Sequence, residues 1–96
     1  MTDKRIEEGA DPEIVAELGR RLAHIRKAAG LNQAEAAARA GLDRSTVSRA
    51  EQGDNPTLLT VVRLLRVYGR LGALESFIPE PGVSPMQLVR EARRRG

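Results

Sequence analysis

The sequence predicts an all-α domain of five or six helices, and three observations carry that expectation. Ala, Leu, Arg and Glu, all good helix formers, dominate the composition, and Tyr68 and Phe77 are the only aromatic residues, so little in the chain favours strands. Apolar residues recur at spacings of three and four, the period of a helix buried along one face. Gly30, Gly41 and Gly53 interrupt these stretches where helices would stop, and Gly69 and Gly72 loosen the chain further on. With 96 residues there is room for one modest core and none for a separate catalytic domain.

Residues 1 to 11 are polar and mixed in charge, and read as a flexible arm. Asp11 is expected to cap a first helix with Pro12 at its first helical position, and Ile14, Leu18, Leu22, Ile25 and Ala29 mark its buried stripe up to Gly30. Asn32 with Glu35 three residues on is a variant of the capping box and opens a second helix, Gln33 to Ala40. Gly41 breaks it, and Asp43 can cap a third helix from about Arg44 to Gln52, stopped by Gly53. After the Asp54-Asn55-Pro56 turn, Leu58, Leu59, Val61, Val62, Leu64, Leu65 and Val67 make a fourth helix apolar on more than one face, which needs covering on two sides. Leu74 to Ile78 could form a brief fifth helix. Pro79-Glu80-Pro81-Gly82 is a connector, and Ser84-Pro85 opens a last amphipathic segment, Met86 to Arg94. The organisation expected is an arm at 1–11, a helical domain at 12–78, and a connector with a C-terminal helix at 79–96.

Charge is distributed unevenly. Six of the thirteen acidic residues lie in the first 17 positions, and beyond Glu17 fourteen basic side chains face seven acidic ones. That part has the sign expected for a polyanionic partner, although a solvated surface or a general arginine bias would give the same balance. Nearly all the cations are arginine, suited to bidentate contacts with phosphate and guanine. The absence of cysteine removes disulfides and thiolate chemistry, and no apolar run reaches signal-peptide or membrane length, so a cytoplasmic protein with no membrane contact is expected.

The stretch Gln33 to Gln52 has the spacing of a helix-turn-helix unit. Two helices crossing steeply must approach closely, and Ala37 is small where they would meet. Gly41 supplies the left-handed backbone that closes a three-residue turn. Ala36, Ala40, Leu42, Val47 and Ala50 form a shared apolar seam. Arg44, Ser45, Thr46, Ser48 and Arg49 are then free to face outward.

On these residues the segment from about Leu18 to Leu71 resembles the Cro and phage-repressor type of helix-turn-helix domain, the XRE family, with its lambda-repressor-like fold. The match comprises the Leu31-Asn32-Gln33 opening, Ala37, Gly41, Val47, and Glu51-Gln52-Gly53 followed by Pro56 and an apolar fourth helix. The resemblance implies a dimeric transcriptional repressor of double-stranded DNA, its third helix in the major groove. Arg44, Ser45, Thr46 and Arg49 would face base edges, each arginine contributing about 1–3 kcal/mol of discrimination at a guanine. Asn32, Gln33 and Gln52, with Asn55 and Thr57 at the next helix, would contact phosphates. Ser48 stands between groove and wall. The family also implies an ion pair of Arg26 with Glu51 that fixes how the third helix is presented.

Other features have plain readings. His24 projects away from the stripe with no partner for catalysis or metal binding, and has at most a phosphate-contact role. Ser45, Thr46 and Ser48 have no base to activate them, so no enzyme activity, cofactor or metal is expected. The acidic start is a solvated tail or an inhibitory arm over the basic face. Arg93-Arg94-Arg95 suits a helix C-terminus, a phosphate-gripping tail or a partner interface. The stretch from Leu64 to Pro85 resembles small HipB-like regulators, which implies an alternative: an antitoxin-type interaction module that binds a HipA-family kinase and represses its own operon.

Overall fold

A computed structural model describes residues 6–81, and within them the expected all-α class holds. A 3-10 turn at Ile6–Glu8 precedes helices α1 (Asp11–Ala28), α2 (Gln33–Ala40), α3 (Arg44–Glu51), α4 (Leu58–Val67) and α5 (Leu74–Phe77). A second 3-10 turn, Leu71–Ala73, leads into α5. The first five residues and the amphipathic segment Met86 to Arg94 lie outside the described residues. Part of the expected arm is thus a turn, closed by the Gly9 N–H donating to the Ile6 carbonyl at 3.0 Å.

Helix α3 is the hub: α1, α2 and α4 each pack against it, and α2 also packs on α4. The core is small. Leu22, Leu31, Ala36, Ala37, Val47, Ala50, Leu64, Leu65 and Tyr68 form one buried cluster, with Val47 and Leu64 fully enclosed. Alanines serve the α2–α3 contact because two short helices crossing at close range leave no space for longer side chains.

The face α1 buries differs from the sequence expectation. Gly19, Leu22 and Arg26 are inside, whereas Leu18 is 41% exposed and Ala29 lies on the surface. Backbone proximity is the reason. A Cβ on Gly19 would stand 2.5 Å from the Glu51 carbonyl oxygen and 2.7 Å from that of Ala50, so α1 meets α3 through a glycine. The burial stripe is centred there and not on Leu18.

Helix ends also differ in detail. Ala10, not Asp11, occupies the N-cap of α1, with Pro12 one position further in, and the Glu13 carboxylate accepts from the Ala10 N–H at 3.2 Å. Asn32 caps α2 through its side chain, accepting from Glu35 N–H at 2.8 Å, while Glu35 accepts from Asn32 N–H at 2.9 Å. Asp43 stands at the N-cap of α3 but its side chain makes no capping bond. Helix α1 stops at Ala28, before Gly30, and α3 stops at Glu51, leaving Gln52 as its cap. Gly53 has φ +73, and a Cβ there would lie 2.6 Å from the Ala16 Cα, so only glycine fits both the left-handed turn and the contact with α1.

The fourth helix is covered on one side only. Thr60, Leu64 and Leu65 are buried, whereas Leu58 and Leu59 are 64% and 59% exposed. Helix α5 ends at Phe77, one residue short of the expected Ile78, and Phe77 and Ile78 are also exposed.

Candidate nucleic-acid interface

The side of α3 turned away from the core carries the candidate site. Val47 and Ala50 face inward, Glu51 lies beneath α1, and Arg44, Ser45, Arg49 and Gln52 are exposed. Ser48 and Thr46 are half-buried at opposite edges of this face. Ser48 borders a hollow of about 450 Å³ toward α1. Thr46 lines a smaller one of about 170 Å³ with Arg49, Asn55 and Thr57 at the start of α4. Thr46 is therefore placed at the wall beside α4, while Gln52 shares the open face with the two arginines.

A polar network holds α3 in position. Arg26 is buried, its Nε donating to Glu51 Oε2 at 2.6 Å and its Nη2 to Glu51 Oε1 at 3.1 Å, while Nη1 donates to the Leu31 carbonyl at 2.8 Å. Gln33 Nε2 completes it, donating to Glu51 Oε1 at 3.0 Å. The first turn of α2, the last of α1 and the end of α3 are tied at one carboxylate. The bond to Glu51 pushes the Arg26 guanidinium above its usual range, outweighing the opposing effect of burial. Tyr68 packs in the core nearby, and its phenol is pushed up to about 12, chiefly by burial and further by the Glu51 charge.

The residues expected to grip phosphate sit around this platform. Asn32 and Gln33 are at the N-terminus of α2, but the Gln33 amide is already engaged by Glu51 through one N–H, which leaves its other N–H for a phosphate. Gln52 Nε2 donates to Ser48 Oγ at 3.2 Å. Thr57 caps α4, its Oγ1 accepting from Thr60 N–H at 3.1 Å, and Asn55 holds a left-handed backbone at φ 46. In the turn itself Gly41 has φ 68, and its carbonyl accepts from Arg63 Nη1 at 3.4 Å. Arg63, reaching from α4 to that turn, had no signal in the sequence.

Sequence reasoning also passed over Arg20 and Lys27. With His24 they line the α1 side of the larger hollow, facing Ser48 and Gln52 of α3. Their spacing of four and three residues places all three on one helical face, which is the signal that could have found them. Arg20 is held at 2.8 Å by Glu17 on the solvent side. Among the described residues no group of three or more His, Cys, Asp or Glu side chains could hold a metal ion, and no helix is long and apolar enough to cross a membrane.

The helix-turn-helix domain family matches residues 17–77. Over 64 residues, 66% of the chain, the sequence is 42% identical to the HTH-type transcriptional regulator PuuR of Escherichia coli (strain K12), and equally to that of Shigella flexneri. Each alignment covers 34% of the relative, so the chain spans about a third of the length of the curated relatives it matches. No solved structure gives a significant match.

Proposed function

The chain belongs to the helix-turn-helix domain family of DNA-binding transcription regulators, of the XRE type with its lambda-repressor-like fold, and on that footing we propose that it is a sequence-specific repressor working as a homodimer on a palindromic operator. The observation that carries the proposal is the open face of α3, where Arg44, Ser45, Arg49 and Gln52 are exposed on a helix whose other side is fixed to three neighbours. Such a helix fits the major groove, with Arg44 and Arg49 each donating to guanine O6 and N7. Ser45 reads beside them, Thr46 meets the groove wall, and Ala37, Gly41 and Val47 set the crossing of α2 and α3. Asn32, Gln33 and Gln52 bind phosphates on one flank, Asn55 and Thr57 on the other, and Arg20, His24 and Lys27 extend the first flank along α1.

A palindromic site requires two copies whose α3 helices lie about 34–36 Å apart. The exposed apolar groups Leu58, Leu59, Phe77 and Ile78 are the surface proposed for the seam. The second reading, an antitoxin-type module docking a HipA-family kinase, rests on the resemblance of Leu64 to Pro85 to HipB-like regulators, with the Pro-rich segment after Ile78 as its contact surface.

The test is a fluorescence-anisotropy titration at about 0.15 M salt onto the duplex upstream of the gene, with a scrambled duplex alongside. The expected result is a preference of about a thousandfold for the native duplex. Equal, weak binding to both would overturn the repressor reading. Capture of a neighbouring kinase by the same preparation would then support the antitoxin reading.

A further inference from the structure

Arg49 is not free on the open face. Its Nε lies 3.0 Å from Asp54 Oδ2, and the Asp54 backbone N–H donates to the Arg49 carbonyl at 2.9 Å, so one residue holds another by both side chain and main chain. The ion pair is exposed on both sides, with side-chain exposures of 67% and 57%, and exposed pairs of this kind contribute little to stability. The geometry around it is nonetheless fixed. Asp54 follows Gly53, whose contact with Ala16 leaves no space for a Cβ, so the turn that carries the carboxylate is seated on α1. Only Nε is engaged. Nη1 and Nη2 have no partner among the described residues, and a guanidinium presents two donors to guanine O6 and N7 as a fork.

We propose that Asp54 is a specificity-determining positioning residue, which holds the Arg49 guanidinium by Nε so that its remaining donors meet a guanine edge. The inference rests on the base-reading role proposed for Arg49. Two effects act together. Tethering lowers the rotamer freedom a long side chain loses on binding. The carboxylate also brings a negative charge close to the DNA, which disfavours complexes in which Arg49 has no guanine to compensate.

The experiment selects binding sites from duplex DNA randomised over the site, using the full chain, Arg49→Ala, Asp54→Ala and Asp54→Asn. Each is also titrated onto a poly(dA)·poly(dT) duplex at fixed salt, and circular dichroism checks that the variants are folded. The wild-type chain is expected to select a guanine at a position in each half-site that Arg49→Ala no longer selects. Asp54→Ala should lose most of that same preference, by about fivefold or more. It should keep preferences elsewhere and bind poly(dA)·poly(dT) as tightly as the wild type or more so. Asp54→Asn, which keeps an acceptor without the charge, should fall between. Full retention of the Arg49-dependent guanine in folded Asp54→Ala would overturn the proposal and leave the repressor reading intact. Equal weakening on every sequence would reduce Asp54 to a structural role and overturn it as well. A wild-type chain that selects no sequence would remove the repressor reading itself, and the proposal with it.

Discussion

Tyr68 places a phenol inside the core. It is 7% exposed, and its hydroxyl has no hydrogen-bond partner among the described residues. A buried phenol resists ionisation because the phenolate would lose its hydration and face the Glu51 carboxylate. The folded chain therefore keeps this proton until about pH 12, whereas an unfolded chain releases it near pH 10. The stability linked to it is whole below pH 10 and is lost as pH rises toward 12, a change of roughly 2–3 kcal/mol. Urea unfolding followed at pH 8, 10 and 11 should show that decline, and Tyr68→Phe should flatten it. Because Tyr68 is the only tyrosine, tyrosinate absorbance reads its titration directly. At neutral pH, Tyr68→Phe should leave stability unchanged or raise it by about 1–3 kcal/mol, since a polar group without a partner leaves the core. A clear destabilisation at neutral pH would mean that the hydroxyl is satisfied.

At the scale of elements, close approach and caps decide more than side-chain volume. α1 reaches α3 through Gly19 and the turn after α3 through Gly53, both against backbone atoms that cannot move aside as a flexible side chain could. Gly19→Ala should destabilise by about 1–3 kcal/mol as the two helices are forced apart, with a matching loss of DNA affinity because α3 is displaced. Gly72→Ala is the control, since nothing lies within 4 Å of a Cβ there and its backbone is not left-handed. Its stability should be unchanged or raised by about 0.4–1 kcal/mol. Thermal unfolding of the two variants checks the pair, and equal effects would refute the close contact. The two helices of the turn unit were readable in advance as segments because Asn32, Glu35 and Gly41 are local signals that act within a few residues. Gly19 was not, because a glycine inside a helix carries no local sign of what passes over it.

Among the described residues, basic side chains extend the candidate surface from α3 onto α1. Arg20 and Lys27 of α1 line the hollow that Ser48 and Gln52 of α3 border, and Arg44 and Arg49 are exposed on α3 itself. Phosphate contacts release counterions, so affinity should fall steeply with salt. Replacing Arg20 and Lys27 together by Ala should reduce the slope of log K against log salt by about 2, weakening the native and scrambled duplexes alike. An unchanged slope would place the α1 face away from DNA. The shared helical face of Arg20 and Lys27 was legible in their spacing, but periodicity relates side chains within one element, while the hollow they line is made by two.

Composition, apolar spacing and turn chemistry determined the all-α class, the position of the second and third helices and the exposure of Arg44, Ser45 and Arg49 on the third, since each depends on neighbours within a turn or two of the chain. Tertiary structure alone decided which face α1 buries, that the Gln33 amide also bonds Glu51, that Thr46 sits at the wall beside α4, and that Asp54 holds Arg49. These are contacts between residues far apart in sequence or across a turn. Their geometry follows from how closely two backbones approach, which no local pattern encodes.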